Sequence, residues 1–357
     1  MDYQKTFPVF NSTPVCYHLE SPIVSGNRLV WVEIHCTPEP RSAGALKWIP
    51  LPESGFSETG LPADIQTILF SEPVCAVLPM NHPSHVLVGL ERRFVVVDLD
   101  ASTDRGPAIV SAYGDIVDDN PAVRLNDCRA GYDGQVYAGT MAYDCATPCA
   151  KWGRVEKDGS FTTLISDRII SNGFGWSQEL RQGQSTIRRL IYVDSLSGGV
   201  GEKDNAAEGV LASSEVWRYD QDMITGELSN QTVLLNLSAH VERHLDFLPV
   251  VADGGCSALT LDGRSCQVVT LFNGAGARVV DMETGDIILS IDVPAFLITS
   301  ACWVGDCLVF ITTRENLQSV DRLSLSPEFQ EMYDQSGNLF WCRPRGLKPP
   351  APFTVNV

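Results

Sequence analysis

Asp222-Met223-Ile224-Thr225-Gly226-Glu227-Leu228 and Asp281-Met282-Glu283-Thr284-Gly285-Asp286-Ile287 are one phrase written twice, with threonines 59 residues apart. The Thr-Gly-Asp/Glu step suits a tight hairpin, because glycine supplies the positive φ that L-residues resist and the acidic neighbour can bond the turn backbone. The phrase extends outward in both directions as an apolar strand ending in Asp. Val96-Val97-Asp98, Val155-Glu156-Lys157-Asp158, Trp217-Arg218-Tyr219-Asp220 and Val279-Val280-Asp281 place their aspartates 60, 62 and 61 residues apart. Between them run short stretches rich in Val, Ile, Leu, Tyr and Trp, punctuated by Gly, Asp and Asn, with little helical periodicity. A repeat of about 60 residues carrying several strands reads as one blade of a β-propeller. The chain is therefore expected to be all-β, a six-bladed β-propeller forming one domain over residues 1–357, whose closed ring leaves only short sheet edges.

Composition agrees and narrows the functional classes. The 357 residues are 44% apolar and 20% charged, with 29 Gly and 21 Pro, which excludes a disordered, fibrous or membrane-spanning chain. Dividing the length by about 150 residues per domain suggests two domains, but large all-β folds exceed that figure as one unit. A polar stretch beginning Gly201-Glu202-Lys203-Asp204-Asn205 interrupts its repeat and reads as a loop insertion over 201–214. A formal charge of -18 repels phosphate backbones and anionic lipid, so neither nucleic acid nor a membrane is expected as partner. Some of the excess carboxylates could converge on a cation.

Eleven cysteines are too few for a small disulfide scaffold and form no Cys-x-x-Cys pair. Cys145 and Cys149 come nearest; they read as small buried residues, with a disulfide, soft-metal or redox pair as the alternative. The first residues lack an apolar segment, and the sequons at Asn11, Asn230 and Asn236 matter only after export, so a reduced, cytoplasmic setting is expected. Nucleophile elbows, phosphate loops and His-Glu-x-x-His are all missing from the sequence. Gly274-Ala275-Gly276 is too short for a dinucleotide fingerprint. His240 and His244 are spaced to share a helix face but lack a third ligand nearby, and His18, His35, His82 and His85 form no spaced set.

More specific are carboxylate and amide words beside Gly or Pro: Leu19-Glu20-Ser21-Pro22, Arg124-Leu125-Asn126-Asp127, Gly139-Thr140-Met141, Ser171-Asn172-Gly173, Tyr192-Val193-Asp194-Ser195-Leu196, Ala252-Asp253-Gly254, Asn273-Gly274 with Arg278, and Thr299-Ser300. In this order, from about residue 16 to about 315, the chain resembles the senescence marker protein 30, gluconolactonase and regucalcin family. The resemblance implies a six-bladed propeller with one divalent cation at the mouth of its tunnel, held by Glu20, Asn172 and Asp253. Two carboxylates and one amide oxygen make an all-oxygen set that selects Ca²⁺, Mg²⁺ or Mn²⁺; Ca²⁺ or Mg²⁺ is favoured, with Zn²⁺ also conceivable. Three protein ligands leave positions open for water and substrate. Read alone, Glu20 also suits a surface turn, Asn172-Gly173 and Asp253-Gly254 ordinary hairpin turns, and Arg124, Asn126 and Asp127 a salt-bridged loop.

By the same resemblance Arg124 and Asn126 face the substrate. Asp144, with Tyr143 beside it, stands where many relatives carry a substrate-binding Glu, which puts the usual sugar-lactone specificity in question. The expected activity is hydrolysis of a lactone by metal-activated water, with Asp253 as proton acceptor and Asp194 as supporting carboxylate. Two alternatives stay open. One keeps the metal and changes the substrate, to a phosphotriester, an aryl ester or a specialised intermediate that is hydrolysed or rearranged; the other is a Ca²⁺-binding or protein-binding propeller without turnover. The expected partner is a small-molecule substrate, and the sequence leaves the oligomeric state open.

Overall fold

A computed structural model describes residues 3–14, 16–39, 41–103, 105–115, 120–196, 215–237, 244–245, 248, 250–315 and 317–356. The expected insertion at 201–214, and His240, lie outside the described residues. Six antiparallel four-stranded meanders form the blades of a β-propeller. Their innermost strands are Leu19–Ser25, Val74–Pro79, Val123–Ala130, Ser171–Trp176, Val251–Thr260 and Ile298–Val304, and each packs against the next around a closed ring. We number the blades I to VI in that order.

The twice-written phrase forms the outer hairpin of blades IV and V. Asp222 Oδ1 accepts from the Ile224 and Thr225 N–H groups at 2.8 and 2.9 Å; Asp281 Oδ1 accepts from Glu283 and Thr284 at 2.9 and 3.1 Å. Gly226 and Gly285 have φ of +75° and +79°. The structural equivalent of Asp281 is thus Asp222 rather than Asp220, the residue used for the spacing. Asp220 instead pairs with Arg189.

Closure of the ring is not a repeat feature. Blade VI takes strands Ile298–Val304, Cys307–Thr312 and Leu339–Cys342 from the end of the chain and Phe7–Pro8 from its beginning, with Phe7 opposite Trp341. An α-helix, Pro327–Gln335, capped by the Ser326 hydroxyl, occupies the connection before Leu339–Cys342. Further along, the Val355 N–H donates to the Pro79 carbonyl and the Asn356 N–H to the Gly134 carbonyl, both at 2.9 Å, which ties the last residues to blades II and III.

The core lies between blades. Trp152 meets Phe174 edge-on at 5.3 Å, and Tyr137 meets Trp176 at 4.9 Å, so large aromatic rings fill the wedge between III and IV. None of the eleven cysteines, all of them among the described residues, is in a disulfide, and Cys145 and Cys149 are only half-buried. Among the described residues, no helix is long and apolar enough to cross a membrane.

Candidate functional site

Every innermost strand breaks its pairing near its start. Ser21-Pro22, Asn126-Asp127, Gly173-Phe174 and Asp253-Gly254 each stand two against one on the neighbouring strand, and Cys75 and Thr299 are single extra residues. A bulge re-aims side chains that strict alternation would send to opposite faces. The bulges lie in or next to the positions of Glu20, Asn126, Asp127, Asn172 and Asp253; Asn172 bonds Asp253, and Glu20, Asp127 and Asp253 act on one another electrostatically, so these residues of blades I, III, IV and V gather near one another. Two glycines allow the approach. A Cβ on Gly173, which has φ of +26°, would sit 2.2 Å from the Asp253 carbonyl oxygen, and one on Gly254 would sit 2.4 Å from that of Thr299.

Asn172 and Asp253 meet directly. The Asn172 Nδ2 donates to Asp253 Oδ1 and, at 3.1 Å, lies against Ser195 Oγ, while Asp253 Oδ1 also accepts the Gly254 N–H at 3.0 Å. Glu20 Oε2 accepts from the Ser21 N–H at 3.2 Å. Among the described residues, no hydrogen bond reaches Glu20 Oε1, Asp253 Oδ2 or Asn172 Oδ1, so each expected ligand keeps an oxygen with unused lone pairs.

The electrostatics of the trio are unfavourable without a counter-charge. Burial pushes the Glu20 carboxyl up to about 7, with His18 opposing and Asp127 adding to the rise. Burial also holds Asp253 well above the usual carboxylate range, reinforced by Glu20 and Asp127 and opposed by the Gly254 N–H and Asn172. Buried like charges that raise one another invite a cation. Among the described residues no three His, Cys, Asp or Glu side chains gather closely enough to hold an ion; the set here is two carboxylates and an amide, and its hard oxygens fit a Ca²⁺- or Mg²⁺-type ion.

Around the trio, Arg124 is buried, its Nη1 donating to the Leu125 carbonyl at 2.8 Å and to Asn126 Oδ1 at 3.2 Å. Asn126 is held in turn by its Nδ2 bond to the Ser171 carbonyl at 3.0 Å. Arg124 acts electrostatically on Glu20, His18 and Tyr143, which places it at the trio's side of the tunnel. The Tyr143 hydroxyl donates to Glu91 Oε1, and Arg41 lies 4.5 Å over its ring.

Asp144 is not drawn into this cluster. It is exposed, and its carboxylate accepts from the Ala146 and Thr147 N–H groups of its own loop, each at 2.9 Å. Asp194 is buried, but its oxygens accept the Ile169 and Ile170 N–H groups at 3.4 and 3.1 Å. It therefore braces the segment that enters the Asn172 strand.

Two features went unassigned in the sequence. Asp127, read there only as part of a salt-bridged loop, is paired with Arg129, whose Nη2 lies 3.1 Å from Asp127 Oδ2, and it also acts electrostatically on Glu20 and Asp253. His18 Nδ1 pairs with Glu315 Oε2 at 2.8 Å, and the His35 ring lies 6.3 Å away. Burial opposes charge on both members of the pair, but their mutual attraction prevails, raising the pKa of His18 and bringing Glu315 down to about 2. These residues come from opposite ends of the chain, and no local pattern announces them.

The sequence over residues 20–315 matches the family described as SMP-30/Gluconolactonase/LRE-like region. Regucalcin of Oryctolagus cuniculus is 23% identical over 335 residues, 90% of this chain and 94% of that protein. Among solved structures, a luciferin-regenerating enzyme aligns over 99% of both chains with a TM-score of 0.72 at 19% identity. A calcium-binding protein, regucalcin, of Agrobacterium tumefaciens aligns over 100% of both with a TM-score of 0.69 at 16% identity. At these identities the two structures establish the fold.

Proposed function

The chain belongs to the SMP-30/gluconolactonase/LRE-like family, and we propose that within it the protein is a divalent-metal-dependent hydrolase that opens a lactone. The observation that carries this reading is the convergence of Glu20, Asn172 and Asp253 from blades I, IV and V, each keeping an oxygen free of hydrogen bonds, around carboxylates that burial makes costly to ionise. These three residues would hold one cation, Ca²⁺ or Mg²⁺ for preference. When bound there, such an ion supplies polarisation of a carbonyl oxygen and a water of lowered pKa.

The chain's own groups do the rest. Asp253, whose Oδ2 accepts no hydrogen bond among the described residues, takes the proton of the attacking water. Arg124, whose position is set through Asn126 and Leu125, offers its remaining N–H donors to the charge that develops on the substrate oxygen. Asp194 is a positioning residue: by bonding the Ile169 and Ile170 N–H groups it sets the entry of the strand that presents Asn172. The substrate is a small molecule. Hydrolysis of a lactone panel, followed with a pH indicator before and after chelation, should show activity that chelation removes and added metal restores.

A second reading keeps the site and replaces the sugar lactone by a less polar ester. It is favoured by Asp144, whose carboxylate is committed to its own turn, and by Tyr143, whose hydroxyl is committed to Glu91; neither is left to bond a polyol. Turnover of aryl esters with inert aldonolactones would select this reading.

A further inference from the structure

A cavity of about 540 Å³ fills the tunnel beyond the bulges, on the other side from Arg124 and His18. Its wall is made by the parts of the inner strands that follow the bulges, and residues 350–354 line it from the end of the chain. The lining is mainly apolar, with Leu78, Phe174, Trp176, Trp303 and Phe353 as its larger members. Apart from His82 in the loop after blade II's first strand, its titratable charges are Asp127 and Arg129, which neutralise one another through two contacts of 3.1 and 3.3 Å. Both contacts use Nε and Nη2, and the guanidinium lies 5.5 Å over the Phe174 ring.

A space of this size lies within the 300–1,000 Å³ of small-molecule sites, and an apolar wall with a few convergent polar groups is their usual make-up. Water is a poor occupant, because each ordered water needs two to four polar partners, and an unfilled void forfeits the dispersion contacts of its lining. A charged guest would be buried against an ion pair already balanced, without a counter-ion of its own. We infer that the tunnel holds a second ligand site, separate from the cation trio, for an uncharged and largely apolar small molecule with one hydrogen-bond acceptor for Arg129 Nη1. The site does not depend on the proposed hydrolysis.

The test uses the full chain in chelator, so that its result is independent of any metal chemistry. Prodan, an uncharged naphthalene bearing a ketone acceptor, is titrated while energy transfer from tryptophan is recorded, since Trp176 and Trp303 line the cavity. The anionic dye ANS is titrated in parallel. Saturable binding at one site is expected, tighter for prodan than for ANS. Ala301→Phe fills the cavity from blade VI and Ser257→Leu from blade V, and each should weaken prodan by roughly tenfold or more. Ser257→Leu decides the matter if the larger substitution prevents folding. Absence of saturable binding, ANS binding as tight as prodan, or an unchanged dissociation constant in a folded variant would each overturn the inference.

Discussion

Replacing Glu20 by Gln should stabilise the protein in the absence of metal, and only above the pH at which Glu20 ionises in the unfolded chain. Burial carries this carboxyl from 4.5 to about 7. Between those values the native state keeps a proton that the unfolded chain has released, so metal-free stability falls as pH rises through the window. At 1.36 kcal/mol per unit the full effect is about 3 kcal/mol; Glu20 is only half-buried, and solvent screening makes this an upper bound. Unfolding entropy of about 2.1 cal/mol/K per residue over 357 residues gives roughly 0.75 kcal/mol/K, so the gain is at most about 4 °C. Calorimetry in chelator at pH 4 and pH 8 would compare variant with wild type, and the difference between the two cancels groups they share. The variant should match wild type at pH 4, below the unfolded-state value of 4.5, exceed it at pH 8, and lack the rise in melting temperature that wild type should show on adding Ca²⁺. A variant whose deficit is the same at both pH values would refute the idea that buried carboxylate repulsion prepares this site for a cation.

Asp253→Asn should lower metal-restored lactone hydrolysis by about 10²- to 10⁴-fold in the indicator assay, the range for loss of a positioned base; undiminished turnover would remove the proposed mechanism. Gly173→Ala should abolish the rise in melting temperature expected on adding Ca²⁺, because its Cβ would lie 2.2 Å from the Asp253 carbonyl oxygen and drive Asn172 from Asp253. Glu315→Gln removes the partner that raises the His18 pKa against burial, so that pKa should fall in an NMR titration. The same variant loses the stability that Glu315 contributes above its unfolded value and that disappears as pH falls toward about 2. Wild-type melting temperatures should therefore exceed those of the variant at neutral pH and converge with them in acid.

What the sequence alone determined was whatever depends on neighbours in the chain. The hairpins at Asp222 and Asp281 form from a few consecutive residues, each glycine in the conformation its turn requires, so one phrase repeated at blade spacing was enough to count blades. Glu20, Asn172 and Asp253 could be singled out as candidates because each sits in a short word beside Ser, Gly or Pro, and the ordered words resemble a family; the contact of Asn172 with Asp253 came from the fold. The tertiary structure decided what depends on the ring. Phe7–Pro8 completes blade VI, and His18 meets Glu315, only because closure brings distant segments together. Asp127 reaches Glu20 and Asp253 electrostatically from a bulge, where the alternation from which a strand's faces are read breaks down. Asp144 stands apart because its carboxylate is satisfied within its own turn, a competition between local hydrogen bonds and the site that residue type cannot reveal.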